Sequence, residues 1–218
     1  MAFVAHLSWG FLVIDLLGVF AGALSGALTA NRKADYDVVG VAALALAAGI
    51  GGGLLRDTLL QAGTPVALTN PSYLLTVLAA VAVASLFGWL VGPRSERLIQ
   101  TIDALALGGF AVSSTLRTQN AGLGPLPSLL LGVVGAAGGG ICRDLLSGEV
   151  PRIFRRGELY AVAALGGSAA FLLARGLGLP RPLTDLIGAS VGSGVRLLSL
   201  RFHWTAPAPY RPAPPGDR

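Results

Sequence analysis

The sequence has little charge and no long polar segment. Asp, Glu, Lys and Arg together make up 12% of the 218 residues, whereas apolar residues make up 53%. A soluble domain normally carries about 25% charged residues. Half that proportion leaves too little polar surface for a water-soluble globule of this length. The composition therefore indicates an integral membrane protein.

Cysteine and histidine are also scarce. The one cysteine, Cys142, excludes an internal disulfide, and His6 and His203 lie at opposite ends of the chain and offer no metal-ligand cluster. The sequence contains no phosphate-binding loop and no convincing pair of nucleophile and base. We therefore expect no enzymatic activity, no cofactor and no resident metal ion.

The net charge of +5 would suggest a nucleic-acid partner in a soluble protein. Here the basic residues lie between apolar spans, so we interpret them as signals of membrane topology and expect no nucleic acid. The first residues lack a basic segment, and the first apolar span is long and contains Asp15. This pattern predicts a retained first helix and not a cleaved signal peptide.

Seven apolar spans have about the 20 residues that an α-helix needs to cross a bilayer. Polar turns or segments with Gly and Pro separate them. The spans are 9–30, 38–61, 71–92, 97–118, 125–147, 157–175 and 182–203. The sequence thus predicts an all-α, polytopic membrane protein with one transmembrane domain, 1–203. The Pro-rich tail, 204–218, is expected to be disordered.

Basic residues are unequally distributed between the two ends of the predicted bundle. We call the end that holds the N-terminus side A and the opposite end side B. Side B holds Arg32, Lys33, Arg94, Arg97, Arg152, Arg155, Arg156, Arg201, Arg211 and Arg218, and side A holds Arg117, Arg175 and Arg181. This ratio of ten to three predicts a cytoplasmic side B, with the N-terminus outside and the C-terminus inside.

One motif occurs twice. The pattern Gly-Gly-Gly-x-x-Arg-Asp stands at 51–57 and again at 138–144, displaced by 87 residues. A single aspartate precedes each copy at nearly the same distance. Asp15 lies 42 residues before the aspartate of the first motif, and Asp103 lies 41 residues before that of the second. The chain therefore contains an internal duplication.

The duplication predicts an unusual topology. Each repeat holds three spans, the first over about 9–92 and the second over about 97–175, and the span 182–203 is extra. Because three is odd, the second copy enters the membrane from the opposite side. Folds of this inverted kind place interrupted helices and their ion or substrate sites near the middle of the membrane.

The repeated glycines lie near the middle of the second and fifth spans. They are Gly51, Gly52, Gly53, Gly138, Gly139 and Gly140. Glycine is less favourable in a helix than alanine by about 1 kcal/mol per residue. The triplets therefore predict that both helices break there. The freed carbonyls would border a pathway and could transiently coordinate a monovalent cation. Alternatively, the glycines only permit close helix packing.

Seven charged residues fall inside the predicted spans. They are Asp15, Arg56, Asp57, Asp103, Arg143, Asp144 and Arg196. Each costs about 2.5–3.5 kcal/mol at the bilayer centre, so we expect them to face an interior or a wet cavity. Adjacent residues on a helix do not face each other, so their depth predicts two other pairs, Asp15 with Arg56 and Asp103 with Arg143. Structural ion pairing and a role in permeation both remain open.

The two motifs, with Asp15 and Asp103 ahead of them, resemble those of the prokaryotic TRIC family, the trimeric intracellular cation channels. The resemblance covers about residues 10–203. It implies seven helices arranged as three, three inverted and one, in a bacterial or archaeal cell membrane. It also implies a homotrimer with one pore in each protomer.

In that family, monovalent cations, chiefly potassium, pass along the second and fifth helices. The resemblance therefore makes the two Gly triplets the kink and pore positions. The same family also carries a glycine-transporter label. A secondary transporter of glycine or a similar small zwitterion is accordingly the alternative function.

Overall fold

The computed structural model describes residues 9–33, 35–88, 95–155 and 159–204, and every regular element in these ranges is helical. Seven helices have 17 residues or more, and α3 has four. The helices are α1 (Trp9–Asn31), α2 (Val38–Leu60), α3 (Val66–Thr69), α4 (Pro71–Phe87), α5 (Ser95–Asn120), α6 (Pro125–Leu146), α7 (Tyr160–Gly176) and α8 (Arg181–Phe202). A 3-10 turn, Arg152–Phe154, connects α6 to α7.

The helix ends follow from local capping chemistry. The side chain of Asp37 accepts a hydrogen bond from the Gly40 N–H at 2.8 Å and starts α2. Asn70 does the same for the Ser72 N–H at the start of α4, and Pro71 occupies the first helical position. These polar and proline signals explain why α2 and α4 begin at the first residues of the predicted spans.

Three sequence-based expectations concern segments that differ or are not described. The predicted span 71–92 corresponds to α4, which ends at Phe87, and residues 89–94 lie outside the described ranges. The tail beyond Trp204 also lies outside them. The short helix α3 lies in a connection that the sequence analysis treated as irregular.

Four described segments are long and apolar enough to cross a membrane. They are Leu12–Asn31, Val38–Leu60, Glu96–Asn120 and Pro125–Leu146. The apolar helices α4 and α7 have 17 residues each, which gives a length of about 25 Å against a hydrocarbon core of about 30 Å. Helix α8 has 22 residues but carries Asp185, Arg196 and Arg201. The remaining three predicted spans correspond to α4, α7 and α8. Helices α4 and α7 are shorter than the four segments above, and α8 is less apolar.

The prediction that two helices break at the Gly triplets is wrong. Helices α2 and α6 run through 51–53 and 138–140 without interruption. They cross at these positions. A Cβ atom at Gly52 would lie within 3.0 Å of the Gly135 carbonyl oxygen, and one at Gly139 would lie equally close to that of Ala48. Such close backbone packing offsets the poor helix propensity of glycine.

Two helices form the centre of the bundle. Helix α1 packs against α2, α4 and α5, and helix α5 packs against α1, α6 and α8. The α2–α6 crossing joins the two halves on a second side. The interior is built mainly from small residues, since alanines dominate the buried apolar core. The helices can therefore approach closely enough to enclose the charged side chains.

Candidate functional site: two buried charge clusters

The structure buries all seven charged residues that the sequence places inside spans. Their exposed fractions range from 0% for Arg196 to 4% for Asp103. Six of the seven fall into two groups, one in each half of the chain. Cluster 1 contains Asp15, Arg56, Asp57, Tyr73, Ser114 and Arg117. Cluster 2 contains Ser25, Asp103, Arg143, Asp144 and Tyr160.

Asp57 is the centre of cluster 1. Its Oδ1 accepts hydrogen bonds from Arg56 Nε at 2.8 Å and from Arg117 Nε at 3.1 Å. Its Oδ2 accepts the Val66 N–H at 3.0 Å, at the first residue of α3. Arg56 also donates from Nη1 to Ser114 Oγ at 3.3 Å. One carboxylate thus holds two guanidinium groups and the start of a short helix.

Asp15 belongs to the same cluster but has a different partner. Its Oδ2 accepts a hydrogen bond from the Tyr73 hydroxyl. The described residues contain no ion pair within 4 Å between Asp15 and Arg56, so the predicted direct pair is absent, although the two charges attract each other across a short distance. Both side chains instead line one small cavity, together with Gly53 and Phe110. The cavity has a volume of about 10 Å³, which leaves room for one water molecule at most.

Arg143 is the centre of cluster 2. Its Nη1 lies 2.5 Å from Asp103 Oδ1 and donates to Ser25 Oγ at 2.7 Å. Its Nε donates to Asp144 Oδ1 at 2.9 Å. The Oδ2 of Asp144 accepts the Arg152 N–H at 2.9 Å, at the start of the 3-10 turn. The predicted contact between Asp103 and Arg143 is therefore present.

The two clusters share a common plan. In each, the aspartate of the motif caps a short helical turn that follows its own helix. In each, the arginine reaches a serine of the other half of the chain, Arg56 to Ser114 and Arg143 to Ser25. The tyrosines Tyr73 and Tyr160 differ by 87 positions, and Tyr160 lies close enough to Asp103 to interact with its charge. Among the described ion pairs of the buried clusters, none in cluster 2 corresponds to the contact of Arg117 with Asp57.

The expectation that adjacent Arg and Asp have separate partners is wrong in both motifs. Arg56 binds Asp57, and Arg143 binds Asp144. The rule concerns short side chains, whose directions differ by about 100° on a helix. The guanidinium group of arginine, however, lies at the end of a long flexible side chain. In a buried site, the favoured side-chain conformations are those in which the guanidinium pairs with the carboxylate of the following residue.

Sequence reasoning did not include three members of the clusters. Arg117 was counted in a side A loop, but it lies in α5 with 6% exposure and binds Asp57. Tyr73 and Tyr160 do not appear among the candidate residues of the sequence analysis. The tyrosines follow the aspartates of their motifs by the same 16 residues. Extending the repeat past the motif would have found them, whereas no sequence signal distinguishes Arg117.

Arg196 lies at the edge of cluster 2. It belongs to α8 and is completely buried. Its guanidinium carbon lies 4.9 Å from the centre of the Tyr160 ring, a geometry that stabilises a cation over an aromatic face. Helix α8 has no equivalent in the duplication, so this contact ties the extra helix to the second cluster only.

The Gly triplets divide into packing and cavity positions. Gly52 and Gly139 lie against the backbone of the facing helix, and a Cβ at Gly138 would lie 2.9 Å from the Gly52 Cα. Gly53 instead faces the cavity of cluster 1, with Arg56 Nη2 as its nearest neighbour at 3.8 Å. Since both helices are continuous, their carbonyls are engaged in the helices' own hydrogen bonds.

Together, the helices and the buried charges define a multi-pass membrane protein with one polar cluster in each half. The chain belongs to the family described as Glycine transporter, whose family model matches residues 12–89 and again residues 100–175. A UPF0126 membrane protein of Deinococcus radiodurans is 40% identical over 191 residues, which cover 87% of this chain and 85% of that protein.

Solved structures with similar folds are cation channels. The TRIC trimeric intracellular cation channel orthologue from Rhodobacter sphaeroides is 35% identical, with a TM-score of 0.83 over 88% of this chain and 97% of that chain. A structure that concerns conductance through TRIC cation channels is 29% identical, with a TM-score of 0.79 over 94% and 99% of the two chains. The resemblance to the TRIC family is confirmed.

Proposed function

We propose that this protein is a channel for monovalent cations, with potassium as the chief permeant ion and a separate pore in each protomer of a homotrimer. The similarity to solved TRIC cation channels supports this function. The observation that carries it here is the small cavity between α1, α2, α4 and α5, which Asp15 lines together with Arg56 but without a direct ion pair to it among the described contacts. A carboxylate in that position attracts a cation into a dry interior.

The cavity of cluster 1 is the narrow part of the proposed pathway. At about 10 Å³ it does not admit a chain of water and ions, so the described conformation is closed. The hydrogen bond from Tyr73 to Asp15 holds α4 against α1 beside the cavity. Opening requires this space to widen, and the glycine at 53 leaves room on the α2 side.

The membrane architecture that we propose has seven spans, as two inverted three-helix repeats and α8. Three observations support it. The two motifs are 87 residues apart, the two clusters share a common plan of contacts, and the same family model matches two separate segments. The short helices α4 and α7 hold the same place in the two halves, and each supplies the tyrosine of its cluster.

A reporter fusion tests the orientation that the basic residues predict. We expect a fusion after Arg218 to be active only when the reporter folds in the cytoplasm, because the sequence places ten basic residues on side B and three, one of them the buried Arg117, on side A. Paired reporters, one active inside and one active outside, provide the control. Activity of the outside reporter alone would reverse the proposed orientation.

A secondary transporter of glycine is the second candidate. The family description supports it, and one cavity holds both Arg56 and Asp15, which could bind a carboxylate and an ammonium group. The unbroken α2 and α6 count against it, since they leave no half-helix N-terminus at mid-membrane for the carboxylate.

Flux measurements on purified protein in liposomes separate the two candidates. We expect potassium flux without glycine, and no saturable glycine uptake in the same vesicles. Asp15→Asn keeps the shape but removes the charge, so it should lower potassium flux several-fold. Glu96→Gln is the control, because Glu96 has an exposed side chain outside the cavity. Saturable glycine uptake with no potassium flux would establish the transporter instead.

A further inference from the structure

One set of contacts at the side B end joins the two halves of the chain outside the core of the bundle. Lys33, in the connection between α1 and α2, donates from Nζ to the Ser147 carbonyl oxygen and lies 3.4 Å from Glu149 Oε1. Tyr36 belongs to the same connection, and its hydroxyl donates to the Leu146 carbonyl oxygen at 3.1 Å. We call these five residues the side B latch.

The latch satisfies groups that a helix leaves open at its end. Leu146 is the last residue of α6, and Ser147 caps it. The last carbonyls of an α-helix have no partner within the helix and lie at the negative end of its dipole. The ammonium group of Lys33 and the phenol of Tyr36 bind two of these carbonyls from the other half of the chain. The charge of Lys33 therefore suits this position as well as its hydrogen bond does.

The last turn of α6 couples the latch to cluster 2. The Ser147 N–H donates to the Arg143 carbonyl oxygen at 2.9 Å, and the Ser147 hydroxyl donates to the Asp144 carbonyl oxygen at 2.9 Å. Arg143 and Asp144 supply the ion pairs of cluster 2, and Asp144 also holds the turn that begins at Arg152. Movement of the α6 end away from Lys33 therefore displaces both charged residues of the second motif.

The duplication does not repeat the latch among the described residues. The equivalent connection in the other half lies between α5 and α6, and its residues 121–124 include no lysine, arginine or tyrosine. The equivalent helix end, that of α2, is closed by Gln61, whose own N–H donates to the Asp57 carbonyl oxygen at 3.1 Å. The latch is therefore a feature of the side B end alone, whereas both halves have a charge cluster.

The latch contacts lie where water can replace them. The side chains of Lys33 and Glu149 are 32% and 36% exposed, whereas the paired charges of cluster 2 are at most 5% exposed. Burial alone would raise the pKa of Glu149, but its contacts with Arg155 and Lys33 lower that pKa below its ordinary value. The pair is therefore charged at neutral pH, and it separates at a lower cost than the buried ion pairs do.

We propose that the side B latch is a gate, which keeps the pathway closed at that end until Lys33 and Tyr36 separate from the end of α6. This inference rests on the proposed channel function. The cavity of cluster 1 is the narrow part of the proposed pathway, and the latch controls whether an ion enters or leaves on side B. Separation frees the last turn of α6 to move, so that cluster 2 and the mouth of the pathway open together.

Thiol labelling measures the opening of the latch without any ion flux. Cys142 is the one cysteine, so Cys142→Ala provides a background in which Ser147→Cys adds a single thiol. Ser147 is 7% exposed, so a charged, water-soluble thiol reagent should label this position slowly. Adding Lys33→Gln and Tyr36→Phe should increase the labelling rate about tenfold, the effect of losing a charge-assisted hydrogen bond. High salt should increase the rate when Lys33 is present.

Two variants are matched controls for the labelling. Arg32→Gln removes the neighbouring basic residue, which pairs with Glu96 at 3.6 Å and not with the latch, so it should leave the rate unchanged. Lys33→Arg keeps the charge and the donor, so the rate should stay close to that of the background. The proposal fails if Lys33→Gln/Tyr36→Phe does not increase the rate, or if Arg32→Gln increases it equally.

Locking the latch tests whether it is a gate. In the Cys142→Ala background, Tyr36→Cys and Leu146→Cys place one thiol on each side of the latch, where a reducible bifunctional thiol reagent can join them. We expect potassium flux to fall to that of protein-free lipid vesicles after joining, and to return when a reductant cleaves the link. Each single-cysteine variant, treated in the same way, is the control. Return of flux in the same vesicles shows that the protein is folded.

Failure of the gate and failure of the channel give different results. A background protein that passes no potassium before any treatment would reject the proposed channel function, and the gate with it. A protein that passes potassium equally well with the latch joined and with it free would leave the channel function standing and reject the gate.

Discussion

Replacing Gly52 with alanine is expected to prevent stable assembly of the bundle, whereas replacing the adjacent Gly53 should leave the fold intact. The new Cβ at position 52 would lie within 3.0 Å of the Gly135 carbonyl oxygen, and neither backbone can move without separating α2 from α6. Overpacking costs about 1–3 kcal/mol in ordinary cores, and a contact with rigid backbone belongs at the upper end of that range.

Gly53→Ala is a matched control in the same triplet. Its Cβ would have only the end of the flexible Arg56 side chain nearby, at 3.8 Å. The Gly53→Ala variant should therefore be more stable, because the helix propensity of alanine exceeds that of glycine by about 1 kcal/mol. Because Gly53 lines the cavity of cluster 1, the proposed channel predicts lower potassium flux in this variant with normal assembly.

Size-exclusion profiles and melting temperatures in detergent, followed by flux in liposomes, measure both effects. The variant Gly139→Ala should behave like Gly52→Ala, since its Cβ would meet the Ala48 carbonyl equally closely. Gly194→Ala, in α8 with open space at the Cβ position, should be stabilised slightly. A well-assembled Gly52→Ala protein with normal flux would show that the α2–α6 crossing is not as tight as described.

Much of the helical fold could be predicted from the sequence, because apolar length and capping residues are local signals. Asp37 and Pro71 mark their helix starts directly. Whether α2 and α6 continue through the Gly triplets could not be predicted. Low helix propensity is a local property of about 1 kcal/mol per glycine, and it competes with a tertiary contact that only the crossing of α2 and α6 creates. The alternative of close packing fits the observed continuous helices.

The contacts of the charge clusters were also predicted only in part. Depth in the membrane placed Asp103 beside Arg143 but also placed Asp15 beside Arg56, where the structure has Tyr73 bonded to Asp15. The two halves share a motif, yet Arg117 binds Asp57 in the first half alone. A duplicated motif therefore predicts the common members of both clusters. It does not predict the single residue that makes one cluster differ from the other.

That difference predicts unequal effects for the same substitution at equivalent positions. Arg143→Met should destabilise the protein by about 3–5 kcal/mol, the usual cost of leaving a buried charge without its partner. Arg143 is the guanidinium in direct contact with both Asp103 and Asp144 among the described ion pairs. Arg56→Met should cost less, because Asp57 keeps Arg117 at 3.1 Å.

Double variants test the pairs themselves. Adding Asp103→Asn to Arg143→Met removes one of the two carboxylates that lose their ion pair with Arg143, so the double variant should be more stable than the sum of the single effects predicts. The coupling should fall within about 0.5–3 kcal/mol, the range for residues in contact. Adding Asp15→Asn to Arg56→Met should give a smaller coupling, because these side chains share a cavity but not an ion pair.

Melting temperatures of the four single and two double variants in one detergent give the ranking. Equal losses for Arg56→Met and Arg143→Met would mean that Arg117 does not stabilise Asp57. A larger coupling for Asp15 with Arg56 than for Asp103 with Arg143 would contradict the described contacts. It would instead favour the arrangement that depth alone predicts. Potassium flux in the same variants distinguishes charges that only hold the helices together from charges that face the ion, since Asp15→Asn should lower flux with little loss of stability.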